Sequence, residues 1–244
     1  MKKIILVALV IGAWYFIFGK GNGIDLFWNS NNVKGTGDVV HKPVSVDAFH
    51  GITLQGSMDV VITPGNEQSV EIVAQQNIAD LITTEVHDGI WVIATSEGFR
   101  TKEEFTVKII VPTMDKVKIQ GSGDVTGTGL FKADNVELKI EGSGDIQMTY
   151  EARSIKAKVE GSGDFVLKGS CTDLNIAIEG SGDVDSQGLQ CMNARTNIAG
   201  SGDIVVNAVA VLDATIAGSG SVRYTGDPQV KKSIAGSGEV KRVD

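Results

Sequence analysis

Five aspartates stand at one phase of a repeated tetrad. Gly-Ser-Gly-Asp begins at Gly121, Gly142, Gly161, Gly180 and Gly200, so Asp124, Asp145, Asp164, Asp183 and Asp203 recur at steps of 21, 19, 19 and 20 residues. Carboxylates on glycine turns are the hard oxygen ligands that calcium takes, and calcium-binding β-rolls use a Gly-Gly-x-Gly-x-Asp repeat. Those repeats come about every nine residues, giving two turns per coil. Here each period holds one tetrad, and Ser221 replaces the aspartate in the sixth. The competing role is a side chain that caps turn amides. Calcium is therefore the one cofactor this column suggests, against turn capping with no cofactor at all.

A second acidic row, Glu141, Glu160 and Glu179, shares the phase just before the tetrads. Carboxylates on the outer face of a solenoid are what a polysaccharide-cleaving enzyme would use. A catalytic pair breaks the symmetry of a repeat, whereas this row follows it, so a structural ladder is expected. His41, His50 and His87 are scattered through the first third with no metal-ligand spacing. No Gly-x-Ser-x-Gly elbow and no phosphate-binding glycine loop occurs. The expectation is a protein that is not an enzyme, with no catalytic residue to assign.

The two cysteines, Cys171 and Cys191, fall ten residues after Gly161 and eleven after Gly180, nearly equivalent places in successive repeats. In an oxidising compartment they could bridge; otherwise they are two small residues of one stack, since Phe131, Ala152 and Ala210 stand at comparable phases.

The elements that must position these residues follow from the repeat itself. The tetrad recurs as Gly-Ser-Gly-Ser at Gly218 and Gly-Ser-Gly-Glu at Gly236. Two residues before each tetrad stand Ile119, Ile140, Val159, Ile178, Ile198, Ile216 and Ile234; four after its first glycine stand Val125, Ile146, Phe165, Val184, Ile204, Val222 and Val240. Polar or small residues alternate with them, a period of two that means strands. Units of 18 to 21 residues are too short for a helical crossover. The expected fold is all-β: a right-handed parallel β-solenoid of about seven coils over 116–244. In it Ile140, Val159, Ile178, Ile198 and Ile216 form one buried stack.

Residues 33–115 are also expected to be strands, capping the stack. Asp59–Thr63 and Ser69–Val73 flank Pro64-Gly65-Asn66, and Thr84–Val86 and Ile90–Ile93 flank His87-Asp88-Gly89, two hairpin signals. Ile78–Ile82 suits one helical turn. Echoes of the tetrad at Gly35 and Gly56 stand 21 apart, and the 65 residues from Gly56 to Gly121 leave room for about three more periods.

Composition sets the wider frame. Thirty of 244 residues are glycine and only four are proline, and the glycine excess is periodic rather than linker-like. A net charge of -8 argues against nucleic acid as a partner. Lys2 and Lys3 precede an apolar run from Ile4 to Phe18, the arrangement of a signal peptide or N-terminal membrane anchor over 1–23. The run is short for a membrane span, and it is the only membrane contact expected. Export places the protein in the periplasm, the outer envelope or on the cell surface, with inner-membrane anchoring as the alternative to cleavage.

Phe49-His-Gly-Ile52, Gly56-Ser-Met-Asp-Val60 and the serial Gly-Ser-Gly-Asp-Val/Ile motifs resemble the putative auto-transporter adhesin head GIN domain family, over roughly Val39 to Val240. The resemblance implies an exported bacterial β-helical protein with adhesion as its suggested role.

One outward face then changes character along the repeats. Lys118, Lys139 and Lys158 give way to Ala177, Asn197, Thr215 and Ser233, while Glu141, Glu160 and Glu179 give way to Ala199, Ala217 and Ala235. A flat uncharged strip is a candidate contact surface for a glycan or protein of the envelope or for a second copy, or else small residues that need no partner. The two function classes are an adhesin-like binding solenoid and a self-assembling structural scaffold.

Overall fold

The computed structural model describes residues 32–243, so the expected export segment at 1–23 lies outside the described residues. The first part of the chain forms β1 (Val33–Lys34), β2 (Val39–Val44), β3 (Gly51–Gly56), β4 (Asp59–Pro64), β5 (Ser69–Gln75), α1 (Gln76–Ala79), β6 (Val86–His87), β7 (Ile90–Ile93), β8 (Phe99–Arg100) and β9 (Thr106–Val111). The repeats form β10 (Lys116–Gly121), β11 (Val125–Gly142), β12 (Ile146–Gly161), β13 (Phe165–Gly180), β14 (Val184–Gly200), β15 (Ile204–Gly218), β16 (Ser221–Thr225), β17 (Gln229–Gly236) and β18 (Glu239–Arg242).

Strands β10 to β18 stack in parallel, in unbroken register along the limb before each tetrad, as a β-solenoid of about seven coils. Ile119, Ile140, Val159, Ile178, Ile198 and Ile216 pair in succession and are at most 1% exposed, which is the single buried stack that the spacing predicts. Alternation carries each coil. Strand β12 buries Ile146, Met148 and Tyr150 on one limb and Ile155, Ala157 and Val159 on the other, and its phase flips through Ala152–Ser154, where the coil bends a second time.

The tetrad makes the first corner. Gly161 has φ +142°, and a Cβ added there would lie 2.2 Å from the carbonyl oxygen of Gly142; at Gly163 it would meet the Gly144 oxygen at 2.1 Å. The first glycine supplies a conformation L-residues avoid, and both let neighbouring coils approach.

The N-terminal strands belong to the same stack in an order the chain does not suggest. Gly51–Gly56 pairs in register with Lys116–Gly121, and β4 pairs with β11, so the coil of residues 51–64 lies directly against the first tetrad coil. The three extra periods do not exist. The intervening chain lays β7 on β3 and β9 on β4 as one outer layer and then returns. Residues 57–120 contain no Gly-x-Gly, so the close corner of the later coils cannot recur there. The Gly35 echo is likewise outside the stack: β1 pairs with β8 alone.

Pro64-Gly65-Asn66 does not close a hairpin. Strand β9 lies between β4 and β5, parallel to one and antiparallel to the other. Its inward Val107, Ile109 and Val111 are buried, and filling that column decides the pairing over chain proximity. His87-Asp88-Gly89 does turn β6 into β7, with Asp88 at φ 51° and Gly89 at 73°, a type I′ arrangement. Helix α1 begins two residues before the expected turn and buries Ile78 and Ala79.

Candidate interaction surface

The outward face of the limb before each tetrad starts as a charged ladder. Lys118 Nζ lies 3.0 Å from the Glu141 carboxylate; Lys139 contacts Glu141 and lies 3.1 Å from Glu160; Lys158 lies 2.6 Å from Glu160 and 2.9 Å from Glu179. Gln120 donates to Glu141 at 2.7 Å. The lysine beside it on its own strand, with Gln120 and Lys118, holds the Glu141 carboxyl down at about 2. Glu160 is lowered by Lys158 and Lys139, and both lysines are raised in turn, chiefly by their hydrogen bonds to Glu141 and Glu160. Two lysines claim each of Glu141 and Glu160, so this acidic row is a structural ladder.

The ladder ends where its next lysine is replaced by Ala177. Lys158 pairs with Ala177, and the column continues through Asn197, Thr215 and Ser233. The neighbouring column runs from Glu179, 57% exposed at its side chain, to Ala199, Ala217 and Ala235. Ala177 is half-buried and the other six strip residues are exposed. Flatness follows from the sheet: side chains no longer than asparagine or threonine stand on an in-register parallel surface.

Sequence reasoning misses a second feature of these coils. Met192, Val209 and Val211, 47%, 41% and 40% exposed, gather at the second corner of β14 and β15, where the register slips between Cys191 and Asn193. The run Val205–Leu212 is apolar at all but one position, so no alternation distinguishes inward from outward there.

The aspartate column is brought together by the stack. Asp145 N–H donates to Asp124 Oδ1 at 2.9 Å, Asp164 to Asp145 at 2.8 Å, Asp183 to Asp164 at 2.7 Å, Asp203 to Asp183 at 2.7 Å, and Ser221 to Asp203 at 2.8 Å. Asp59 heads the column, accepting from Asp124 at 3.2 Å. Each carboxylate thus caps the amide of the next coil's turn rather than its own. Among the described residues no three His, Cys, Asp or Glu side chains converge as a metal-binding group. The histidines also sit against carboxylates: His41 on Glu71, His50 on Asp115 at 2.7 Å, and His87 3.6 Å from Glu85.

Cys171 and Cys191 are register partners on β13 and β14. Their column is Ala133, Ala152, Cys171, Cys191 and Ala208, which corrects the phases suggested for Phe131 and Ala210; Phe131 pairs with Tyr150 in the next column. A register shift beyond Thr126 and another in β15 displace those two residues from simple counting.

A parallel β-solenoid whose repeated polar side chains serve the coil stack and whose last coils expose an uncharged strip is thus the class that fold and surface define. The chain belongs to the family described as putative auto-transporter adhesin, head GIN domain, whose model matches residues 48–228. Its fold is similar to that of a putative adhesin from Bacteroides fragilis NCTC 9343, at 24% identity and TM-score 0.80, covering 87% of this chain and 100% of the other. It is also similar to a putative adhesin from Parabacteroides distasonis ATCC 8503, at 26% identity and TM-score 0.70 with the same coverage. A putative lipid binding protein from that organism shares 24% identity and TM-score 0.74, again over 87% and 100% of the two chains. No curated protein matches the chain. Among the described residues no helix is long and apolar enough to cross a membrane.

Proposed function

We propose that this chain is a non-catalytic, adhesin-like module of the cell envelope or cell surface, presenting the strip from Ala177 to Ala235 to a flat partner, a glycan layer or an envelope protein. The observation that carries this reading is the break in the ladder at Ala177, beyond which the two columns of the strip are exposed, uncharged and flat, with Arg195, Asp213 and Lys231 flanking them on the same face. Long charged side chains keep water on a sheet and keep neighbours away; short ones let a second surface reach the backbone plane at small desolvation cost. Membership of an adhesin-named family supports it. The commitment of Glu141 and Glu160 to lysines supports a role without catalysis.

The test is the double variant Ala199→Glu and Ala217→Glu, which places two carboxylates on the strip without touching the core. Binding to intact cells or envelope material should fall at least tenfold while the unfolding midpoint stays within a few degrees. Unchanged binding and unchanged oligomeric state by light scattering would remove the strip from the function. A change in oligomeric state alone would assign the strip to a second copy and favour the scaffold reading.

A further inference from the structure

The column that holds the two cysteines is otherwise built of alanine: Ala133, Ala152 and Ala208 occupy its other coils. At Cys171 and Cys191 two larger polarisable groups therefore meet inside a column of small ones. The sulfurs lie 2.8 Å apart as donor and acceptor, and the Cys191 thiol also faces the Leu189 carbonyl at 3.5 Å. Cys171 is 8% exposed and Cys191 is fully buried. These are the only two cysteines of the chain, so no third thiol competes for either.

We infer that Cys171 and Cys191 are joined by a disulfide in the mature protein, a covalent staple between β13 and β14. Register partners on adjacent parallel strands stand about 4.8 Å apart, within the roughly 4.4 to 6.8 Å that a disulfide spans between Cα atoms. The side chains leave the same face of neighbouring strands, and their rotamers already turn the sulfurs toward each other. The inference rests on the exported reading, because the bridge needs an oxidising compartment.

The oxidant is a small or protein disulfide. One cysteine thiolate attacks it and expels the first thiol, leaving a mixed disulfide; the second cysteine attacks that and expels the other. Two protein thiols and one disulfide thus become one protein disulfide and two free thiols. The hydrogen bond with Cys171 and then burial push the Cys191 thiol far above its ordinary range, so Cys191 offers little thiolate in the folded chain, and both sulfurs are buried away from an oxidant. The bridge is accordingly made while the coils are still open, and once closed it is shielded from reductant. It is a structural link rather than a switch, tying the coils that carry the exposed strip to the centre of the stack.

The experiment refolds the full chain with oxidised glutathione, then unfolds it and alkylates with iodoacetamide. The expected result is a monomer lighter by two hydrogens with no alkylated cysteine and a melting midpoint several degrees above the reduced protein. Oxidant added to the already folded chain should act much more slowly. Cys171→Ala and Cys191→Ala, each restoring the column's own alanine, should fold and lose the redox-dependent shift. Two alkylated cysteines after oxidative refolding, or linkage only between chains, would overturn the staple. Protein recovered from cells under acid quench gives the second arm. A bridge there supports the proposal; reduced thiols there, with a bridge formed by glutathione, would overturn both the staple in the mature protein and the exported compartment, leaving the geometry standing.

Discussion

At the residue scale the chemistry of the carboxylates is decided by what lies one coil away. The N–H of Asp145 donates to the side chain of Asp124 while the N–H of Val125 donates to the carbonyl of Asp145 at 2.8 Å, and the same reciprocal pair recurs at each step. The like charges of the column are thereby each set against an amide. This role was only half legible: composition and phase fixed which residues align, but a cap on the following coil depends on inter-coil register, which local turn chemistry does not contain. The glutamate ladder gives a sharper test. Glu141 is held at about 2 in the folded chain against an ordinary 4.5, so the unfolded chain binds the extra proton between those values. Stability therefore rises with pH across that window, is fully present above about 4.5, and is lost as pH falls toward 2. Denaturant midpoints at pH 5 and pH 3 should drop more for the native sequence than for Glu141→Gln, which has no proton to take up. Equal slopes for the two proteins would show that the ladder contributes nothing to acid sensitivity.

At the element scale the coil is specified by two requirements, an apolar column inside and glycines at the corner. Ile178 is fully buried between Val159 and Ile198, so Ile178→Ala should cost about 2 to 5 kcal/mol, read from urea unfolding. Gly161→Ala meets a carbonyl oxygen at 2.2 Å with φ in the region that L-residues avoid, so it should cost as much without removing any apolar contact. The repeats were legible for this reason: period-two burial and paired glycines are both written locally, at Ile178 and Gly161 alike. The N-terminal layer was not, because β9 displaces β5 from β4 through the burial of Val107 and Ile109, a competition between distant segments. The His87-Asp88-Gly89 turn could be read because its positive φ values belong to the turn residues themselves.

At the scale of the molecule the question is what stops one solenoid from continuing another. At the outer end β5 runs antiparallel to β9 and β2 antiparallel to β5, and β2 carries Pro43, which cannot donate to a further strand. At the other end the last described coil continues the buried columns with Val230, Ile234 and Val240, but it breaks two of them. The column Ile176, Thr196, Ala214 arrives at Lys232, and the column Val206, Tyr224 arrives at Arg242, whose guanidinium turns to Asp227 at 3.2 Å. Any strand added end-on would bury both cations over apolar neighbours, at a desolvation cost of several kcal/mol for each. Inward charge on an edge is the device that keeps sheets from joining, and it disfavours a scaffold built by end-on stacking while leaving the flat side face free to bind. Lys232→Leu with Arg242→Leu should therefore convert a monodisperse protein into one whose weight-average mass rises with concentration in sedimentation equilibrium, while Ala199→Glu and Ala217→Glu should leave that behaviour unchanged. If the native chain itself forms end-on filaments, or if the leucine variant stays folded and monomeric at high concentration, these two cations are not what terminates the stack.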